Sequence, residues 1–340
     1  MGAASIVEVP AEAQMIEGQG RYLLPGLADM HVHMHPGDTF EYVRHGVTTV
    51  RNMWGTPTVQ SLQEEIERGD VLGPTIYSTS PGLDGTPPTW PLTHLVLTAD
   101  DADAAVAEQQ AAGWMAIKIY QQLTADAYFA IAEAARARNL PLMGHVPHRV
   151  GLAGVLQAHQ HSIEHLGGIA EHVTTVGGRG TQAWRAIERS RVFDAVAQIR
   201  QTVTWVCPTL HIHRIIMQRF SATEQQAIVD NQRLVLRELA MMNVGLLVGT
   251  DSGIDVTQPG RSIHEELAEW VAAGLEPYQA LRAATVDAAR FLDMGSEFGQ
   301  IAPGLRADLL LVSGNPLEDL SVLARPDGVM VRGIWISEGL

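Results

Sequence analysis

The sequence predicts an α/β fold: a (β/α)8 TIM barrel over residues 25–304, with a small β-sandwich-like domain that residues 1–24 and 305–340 form together. Three observations carry this prediction. Short apolar runs alternate with longer helical patterns through the middle of the chain. Single polar residues stand at the ends of several of these runs, where barrel folds place their functional groups. Both chain ends carry short alternating stretches broken by Gly and Pro, which are typical of small sheets.

Eight apolar runs are the candidate barrel strands, and they begin at intervals of about 20 to 40 residues. Patterns typical of helices fill most intervals, as over residues 125–138 and 263–273. Eight such units in about 270 residues suit a (β/α)8 barrel. The alternative, a doubly wound open sheet, would carry a glycine-rich phosphate turn after an early strand, and the sequence has none there. The candidate strands are 27–33, 47–51, 75–80, 116–120, 141–145, 162–165, 203–207 and 245–250.

The smaller domain is predicted from the two chain ends. Alternating apolar stretches lie at residues 6–9, 308–312 and 329–335. Because they are short and stand outside the barrel region, we expect them to pair in one β-domain beside it.

The composition limits the expected partners. Hydrophobic residues make up 46% of the chain and charged residues 18%, which is enough for a large core. A formal net charge of -15 argues against nucleic acid or an anionic membrane as a partner, because either would repel the acidic surface. We therefore expect a small-molecule substrate. The sequence is compatible with a monomer and with a homo-oligomer.

The chain has a single cysteine, Cys207, so histidine and carboxylate side chains must do any metal binding. No apolar run reaches membrane-spanning length, and the first residues lack the pattern of a signal peptide. We expect a cytoplasmic protein, or a secreted or periplasmic one if its N-terminus has been processed or trimmed.

Lysine occurs only once. Of the 23 basic residues 22 are arginine, and the lone lysine, Lys118, lies in the apolar run 115–120. A buried strand is a costly place for an ammonium group. The position therefore indicates a task that a guanidinium group cannot perform. The alternative is that Lys118 has no special role: it is a chance lysine in an arginine-rich sequence, and its amine extends to water.

A pair of histidines ends the first candidate strand. His31 and His33 stand at i and i+2, so both side chains share one face of a strand and can bind one ion. The spacing alone is weak evidence, because His211 and His213 repeat it. The first pair differs in following an apolar run at the expected carboxyl end of a barrel strand.

Further polar residues end other candidate strands. Four histidines, one lysine and one aspartate that converge on one barrel mouth are hard to explain as packing. The additional residues are Lys118, His145, His165 and Asp251.

Taken in order, these motifs resemble the amidohydrolase superfamily in its two-metal form, closest to the imidazolonepropionase-like and prolidase-like branch. The resemblance covers nearly the whole chain. It rests on residues 24–33, 117–120, 144–147, 163–166, 207–209 and 249–251, and on the tail 299–316.

The resemblance implies two divalent ions, with zinc as the first expectation and manganese or cobalt as alternatives. It implies that Lys118 reacts with carbon dioxide to give a carbamate that bridges both ions. Two close cations need a shared anion, and desolvation helps to supply the neutral amine that the reaction requires. The implied ligands are His31, His33 and Asp251 for the first ion, His145 and His165 for the second, and carboxylated Lys118 for both.

The resemblance further implies hydrolysis of a C–N bond in an amide or peptide-like small molecule, such as a dipeptide or an N-acyl amino acid with a free carboxylate. A metal-bridging hydroxide would attack the carbonyl carbon, with Asp251 as general base and then general acid. Tyr120 would donate a hydrogen bond to the developing oxyanion. The alternative for Tyr120 is an aromatic side chain that caps the core.

Candidate substrate contacts lie in loops near the barrel mouth. Arg149 could pair with a substrate carboxylate. His148 and His211 could line the mouth, and Trp90 could form an apolar wall. Ordinary surface or packing roles are the alternative for each of them.

Two other functions stay open. Hydrolysis of a lactone or a phosphotriester would suit the same metal core, because a fold and its ligands do not fix the substrate. A catalytically inactive metal-binding scaffold is the second alternative. Such a protein would need no proton acceptor, so Asp251 argues against it, but only in part, because Asp251 is also an expected metal ligand.

Overall fold

The computed structural model describes residues 9–254 and 256–337, and their strands form three sheets. A three-stranded sheet, β2-β3-β4, and a six-stranded sheet, β10-β9-β8-β7-β5-β6, contain only parallel pairs. The third sheet is antiparallel and has the order β1-β11-β12-β13. The strands are β1 Tyr22–Pro25, β2 Leu27–Val32, β3 Val47–Asn52, β4 Thr75–Ser78, β5 Gly82–Asp84, β6 His94–Leu95, β7 Ile117–Ile119, β8 Leu142–Gly144, β9 Ser162–Glu164, β10 Trp205–Cys207, β11 Leu309–Val312, β12 Gly328–Val331 and β13 Ile334–Ile336.

Helices separate most of the parallel strands, which gives a mixed α/β fold as predicted. Across the described ranges, no helix is both long enough and apolar enough for a bilayer crossing. The α-helices are α1 Thr39–Arg44, α2 Pro57–Arg68, α3 Ala102–Ala111, α4 Ala125–Ala137, α5 Gly151–Gln157, α6 Ile169–Val173, α7 Arg189–Thr202, α8 Leu210–Ile216, α9 Ala222–Met241, α10 Ser262–Ala272, α11 Pro277–Ala283 and α12 Val286–Phe291. Short 3-10 helices are Pro36–Asp38, Ala99–Asp101, Gly180–Arg185, Met217–Arg219 and Leu320–Ala324.

The first seven candidate strands each contain a strand of the structure, whereas segment 245–250 forms no regular strand. This segment instead makes a few backbone hydrogen bonds to each of its neighbours. The Leu247 amide donates to the Val206 carbonyl at 3.0 Å, and the Met30 amide donates to the Val248 carbonyl at 2.8 Å. The segment therefore lies between β10 and β2. The sequence prediction also lacked β5 and β6, which are too short to show a period.

The antiparallel sheet joins the two ends of the chain. Strand β1 pairs with β11, with Tyr22 opposite Val312. The predicted stretch 329–335 is a hairpin of β12 and β13, because the chain turns at Arg332 and at Gly333, whose φ is +82°. Residues 6–8 lie outside the described residues. The division into two domains stays a prediction.

Parallel strands place their carboxyl ends at one edge of a sheet, and the polar residues predicted to be functional lie there. His33 follows β2, Tyr120 follows β7, His145 follows β8 and His165 follows β9. Asp251 follows segment 245–250. This edge opens into a cavity of about 1000 Å³.

Candidate metal centre and substrate cavity

A cavity of about 1000 Å³ lies at the carboxyl ends of the strands. His31 contacts its floor from β2, because His31 Nε2 lies 3.4 Å from Oδ1 of Asp251. The structure thus brings together the whole predicted metal-ligand set. The predicted residues that line the cavity are His33, Lys118, Tyr120, His145, His165 and Asp251.

Asp251 stands at the centre of this cluster. Its Oδ1 lies 3.0 Å from Nε2 of His33, and its Oδ2 lies 4.0 Å from Nδ1 of His165. The imidazole rings of His31 and His165 are 4.4 Å apart, and those of His145 and His165 are 4.7 Å apart. Residues from four separate strand ends therefore face one another across the floor of the cavity.

Local backbone geometry turns two of these side chains inward. His165 and Asp251 have φ values of +61° and +58°, in the left-handed region that non-glycine residues rarely adopt. Backbone hydrogen bonds hold both residues there. The His165 amide donates to the Cys207 carbonyl at 2.9 Å, and the Asp251 amide donates to the His31 carbonyl at 2.8 Å. Such strained positions are concentrated at functional sites.

Lys118 is fully buried, and its Nζ has no hydrogen-bond partner in the described residues. Burial is the main cause that lowers the pKa of this amine to about 8, against the attraction of Glu164 and Asp251. An unpartnered ammonium in this position would be costly. Burial therefore favours the neutral amine of Lys118 over its ammonium form, and the neutral amine is the form that can be modified.

Burial keeps His31, His145 and His165 neutral near pH 7. Burial, followed by the charge of Lys118, lowers the pKa of His31 to about 4. Burial holds the pKa values of His145 and His165 well below the usual range as well. Burial opposes the charge on Asp251, but His165 and a hydrogen bond from His33 keep the pKa of this carboxyl well below its usual value. Neutral imidazoles and an ionised carboxylate are the forms that bind metals.

The residues present fit a divalent metal ion. Buried polar atoms without a partner in the described residues include His31 Nε2, Lys118 Nζ and His145 Nδ1, and all three belong to this cluster. Ligand atoms of His31, His165 and Asp251 lie within 4.8 Å of one another. Nitrogen and carboxylate donors of this kind suit zinc, manganese and cobalt alike.

Tyr120 lies beside the cluster and is held by a tryptophan. Its ring is 4.1 Å from the ring of His145, and its hydroxyl accepts a hydrogen bond from Trp90 Nε1. Burial raises the pKa of the Tyr120 hydroxyl, so the group keeps its proton. The buried carboxylate of Asp84 anchors the loop of Trp90, since it accepts hydrogen bonds from the Gly85 amide at 2.9 Å and from the Thr89 hydroxyl at 3.4 Å.

The predicted substrate contacts divide into two groups. Trp90 and His148 line the cavity. Among the described lining residues, Arg149 and His211 do not occur. Arg149 is exposed, and the His211 amide donates to Glu266 Oε2 at 2.7 Å. For Arg149 and His211, a substrate contact stays a prediction.

His213 is a cavity residue that the sequence analysis did not select. It lies in α8, lines the cavity and is 8% exposed, and neither ring nitrogen has a hydrogen-bond partner in the described residues. Residues i and i+2 of a helix point in very different directions, so His211 and His213 cannot both face the cavity. The His-x-His spacing was the available signal, but it singles out one residue only once the segment is known to be helical.

A buried ion pair of Arg51 and Glu164, which the sequence analysis also missed, contacts Nδ1 of His31. Glu164 accepts a hydrogen bond from His31 Nδ1 at 2.8 Å, and Arg51 Nη2 donates to both Glu164 oxygens at 3.0 and 2.9 Å. All three side chains are fully buried. Burial disfavours the charge on Glu164, but Arg51 and His31 hold its pKa well below the usual range.

Comparisons with known proteins agree with this geometry. The chain is 25% identical to "Adenine deaminase 3" of Rhizobium meliloti (strain 1021) in an alignment of 344 positions that covers 96% of this chain and 50% of that protein. It is 22% identical to "Ochratoxinase" of Aspergillus niger in an alignment of 375 positions that covers 90% of this chain and 73% of that protein. The chain thus spans about half the length of the adenine deaminases that it matches.

Among solved structures, the fold is similar to that of a Xaa-Pro dipeptidase with bound methionine in the active site. The TM-score is 0.76 at 22% identity, and the match covers 98% of this chain and 91% of the dipeptidase. This likeness shows a shared fold of the TIM-barrel type. The sequence model of the Amidohydrolase family matches residues 22–336. The predicted family is therefore confirmed, and the chain belongs to the amidohydrolase family.

Proposed function

We propose that this protein is a metal-dependent hydrolase that cleaves a C–N bond in an amide or peptide-like small molecule. One observation carries the proposal. Within the described residues, three buried nitrogen atoms, on His31, Lys118 and His145, have no hydrogen-bond partner, and all three belong to the cluster that includes Asp251 at the floor of a cavity of about 1000 Å³. Leaving three such groups unpaired would cost several kcal/mol, roughly 1–3 kcal/mol for each, if nothing bound there.

We propose two divalent ions, with zinc first and manganese or cobalt as alternatives. His31, His33 and Asp251 would hold one ion, and His145 and His165 the other. Lys118 would serve both as a carbamate: its neutral amine forms a bond to the carbon of carbon dioxide and releases a proton to water. When bound, the ions would polarise the scissile carbonyl group and lower the pKa of water.

Asp251 has the position of a proton carrier. Its Oδ1 contacts His33 Nε2 at 3.0 Å, whereas its Oδ2 lies 4.0 Å from His165 Nδ1, beyond hydrogen-bond distance. We propose that Oδ2 accepts the proton of the attacking water and then delivers it to the leaving nitrogen.

Tyr120 has the position of an oxyanion donor. Trp90 Nε1 donates to the Tyr120 hydroxyl, so one lone pair of that oxygen is occupied while its hydrogen stays free. The hydroxyl can thus donate to the substrate oxygen as negative charge develops there.

The cavity supports a substrate larger than a small dipeptide. Ligand sites commonly measure about 300–1000 Å³, so a cavity of about 1000 Å³ is at the upper end. Its apolar walls include Trp54, Trp90, Trp184 and Ile212, and His213 offers unpaired nitrogen atoms. We therefore propose an N-acyl amino acid or a dipeptide with a bulky apolar group. Its carboxylate would bind near His213.

We propose that segment 245–250 completes a (β/α)8 barrel. Its backbone hydrogen bonds to Val206 and Met30 support this, because they link β10 to β2. The terminal sheet would then form the core of a separate small domain beside the barrel.

A metal-supplemented substrate screen tests the function. The protein is stripped with a chelator, reloaded with Zn²⁺, Mn²⁺ or Co²⁺, and assayed on dipeptides, N-acyl amino acids, lactones and aryl phosphotriesters. We expect metal-dependent cleavage of amide substrates, with Asp251→Ala as the inactive control. Activity confined to lactones or phosphotriesters would select that rival function. Metal binding without turnover of any compound would support the inactive scaffold.

A further inference from the structure

We propose that Arg51 and Glu164 are positioning residues of the metal centre, and that together with His31 they form a hydrogen-bonded relay. In this Arg51–Glu164–His31 relay, Glu164 fixes the tautomer and ring orientation of His31, and Arg51 fixes Glu164. The inference rests on the metal centre of the proposed function. Neither Arg51 nor Glu164 lines the cavity in the described residues, so both act through His31.

The carboxylate of Glu164 determines which nitrogen of His31 carries the proton. Both oxygens of Glu164 accept hydrogen bonds from Arg51 Nη2, at 3.0 and 2.9 Å, so this carboxylate is an acceptor towards Nδ1 as well, and the contact of 2.8 Å places the imidazole proton on that nitrogen. Nε2 then keeps its lone pair. It has no hydrogen-bond partner in the described residues and lies 3.4 Å from Asp251 Oδ1. Without the carboxylate, the proton could occupy Nε2 and block the ligand position.

Arg51 donates hydrogen bonds to residues of strands β2 and β9. Its Nη2 donates to both oxygens of Glu164 at 3.0 and 2.9 Å, and its Nη1 donates to Ser162 Oγ at 3.1 Å. Its Nε donates to the Met30 carbonyl at 2.6 Å. The guanidinium group of Arg51 thus bonds both to the backbone carbonyl that precedes His31 and to the carboxylate that contacts the His31 ring. A lysine could not reproduce this planar fork.

Among the described contacts, the other histidines of the cluster differ from His31. His33 Nε2 also contacts a carboxylate, at 3.0 Å, but this carboxylate belongs to Asp251, itself a proposed ligand of the ion. His165 Nδ1 lies 2.7 Å from the Thr209 hydroxyl, and a hydroxyl can either donate or accept, so this contact leaves the tautomer of His165 open. Of these three histidines, His31 is the one whose ring is oriented by a carboxylate outside the proposed ligand set, so the relay should act on the ion that His31 holds.

Zinc binding to the metal-free protein tests the relay without any substrate. In Arg51→Met/Glu164→Leu both charges are removed together, which avoids an unpaired buried charge. We expect the Zn²⁺ affinity, measured by chelator competition, to fall by about 10–100-fold, as for other partners of metal-bound histidines. In Arg51→Met/Glu164→Gln the amide oxygen can still accept from His31, so part of the affinity should return.

The matched control is Arg214→Met/Arg233→Met/Glu269→Leu, at a partly buried cluster in which Glu269 pairs with Arg214 at 2.7 Å and with Arg233 at 2.9 Å; among the described ion pairs, none of these residues joins the metal cluster. It should lower the thermal stability of the metal-free protein and leave the Zn²⁺ affinity unchanged. The relay is overturned if both Glu164 double variants bind Zn²⁺ as the wild type does, or if the Leu and Gln variants are equally weak. Wild-type protein that binds no Zn²⁺ would refute the metal centre itself.

A second measurement covers the case in which the leucine variant does not fold. In the single variant Glu164→Gln, Arg51 stays and needs the one amide oxygen as its acceptor, so the amide nitrogen turns towards His31 Nδ1 and cannot accept its proton. The visible absorption of the Co²⁺-loaded protein then reports the ligand geometry around the ion. We expect the bands to shift relative to the wild type. An unchanged spectrum would mean that Glu164 supports packing only, and the relay would be rejected.

Discussion

Oδ1 of Asp251 lies 3.0 Å from Nε2 of His33, although 218 residues separate the two in the chain. In the proposed mechanism, Oδ2 of Asp251 is the oxygen that carries the proton. We predict that Asp251→Ala lowers kcat/KM by at least about 100-fold, the lower end for loss of a general acid–base group. Because the other ligands stay, much of the zinc should remain bound. Steady-state kinetics and metal analysis of the same sample check this, and near-normal turnover would remove Asp251 from its role.

Lys118 gives the second prediction. Lys118→Arg should abolish activity, because a guanidinium group cannot form the proposed carbamate and adds a fixed charge to a fully buried site. Lys118→Ala should be rescued in part by a short carboxylic acid that replaces the missing carboxylate. The assay is turnover against rising propionate concentration. Intact-mass evidence of an unmodified amine in an active, metal-loaded enzyme would contradict the carbamate.

Gly249 gives a prediction about packing. A Cβ added there would lie 2.4 Å from Cys207 Sγ and 2.8 Å from His31 Cβ, so neighbouring groups would have to move. We expect Gly249→Ala to lower the free energy of unfolding by about 1–3 kcal/mol and to weaken metal binding. Gly295→Ala is the control, because nothing lies within 4 Å of an added Cβ there. Urea unfolding of both variants measures the difference, and equal stability would refute the predicted clash.

Trp90 and Tyr120 give a prediction about coupling. Trp90→Phe removes the hydrogen bond to the Tyr120 hydroxyl but keeps an aromatic wall. A hydrogen bond contributes about 0.5–1.5 kcal/mol, so kcat should fall by about 2- to 10-fold. In a Tyr120→Phe background the same change should have little further effect, because the acceptor is already missing. Additive effects in this double-mutant cycle would show that Trp90 acts independently of Tyr120.

The sequence was sufficient for the cluster itself. Lys118 lies within a short apolar run, His145 and His165 each end one, and parallel strands bring their carboxyl ends together. Segment 245–250 was harder, because its few hydrogen bonds to β10 and β2 do not make a regular ladder. An apolar run predicts burial, and it does not by itself determine the hydrogen-bonding pattern.

The ion pair of Arg51 and Glu164 that contacts His31 could not be predicted from the sequence. Arg51 and Glu164 pair across 113 residues, and nothing in either local pattern names the partner. Glu164 stands beside His165 on the chain yet serves His31, because successive residues of a strand point to opposite faces. His211 and His213 were ambiguous because the same spacing has different consequences in a strand and in a helix.

Metal dependence of amide hydrolysis tests the central claim most directly. The measurement is the rate of N-acyl amino acid hydrolysis by one preparation after chelator treatment and again after stoichiometric Zn²⁺ is added. We predict that turnover disappears with the metal and returns with it, while Asp251→Ala stays inactive in both states. Equal turnover by the metal-free and the zinc-loaded protein would contradict the proposed function.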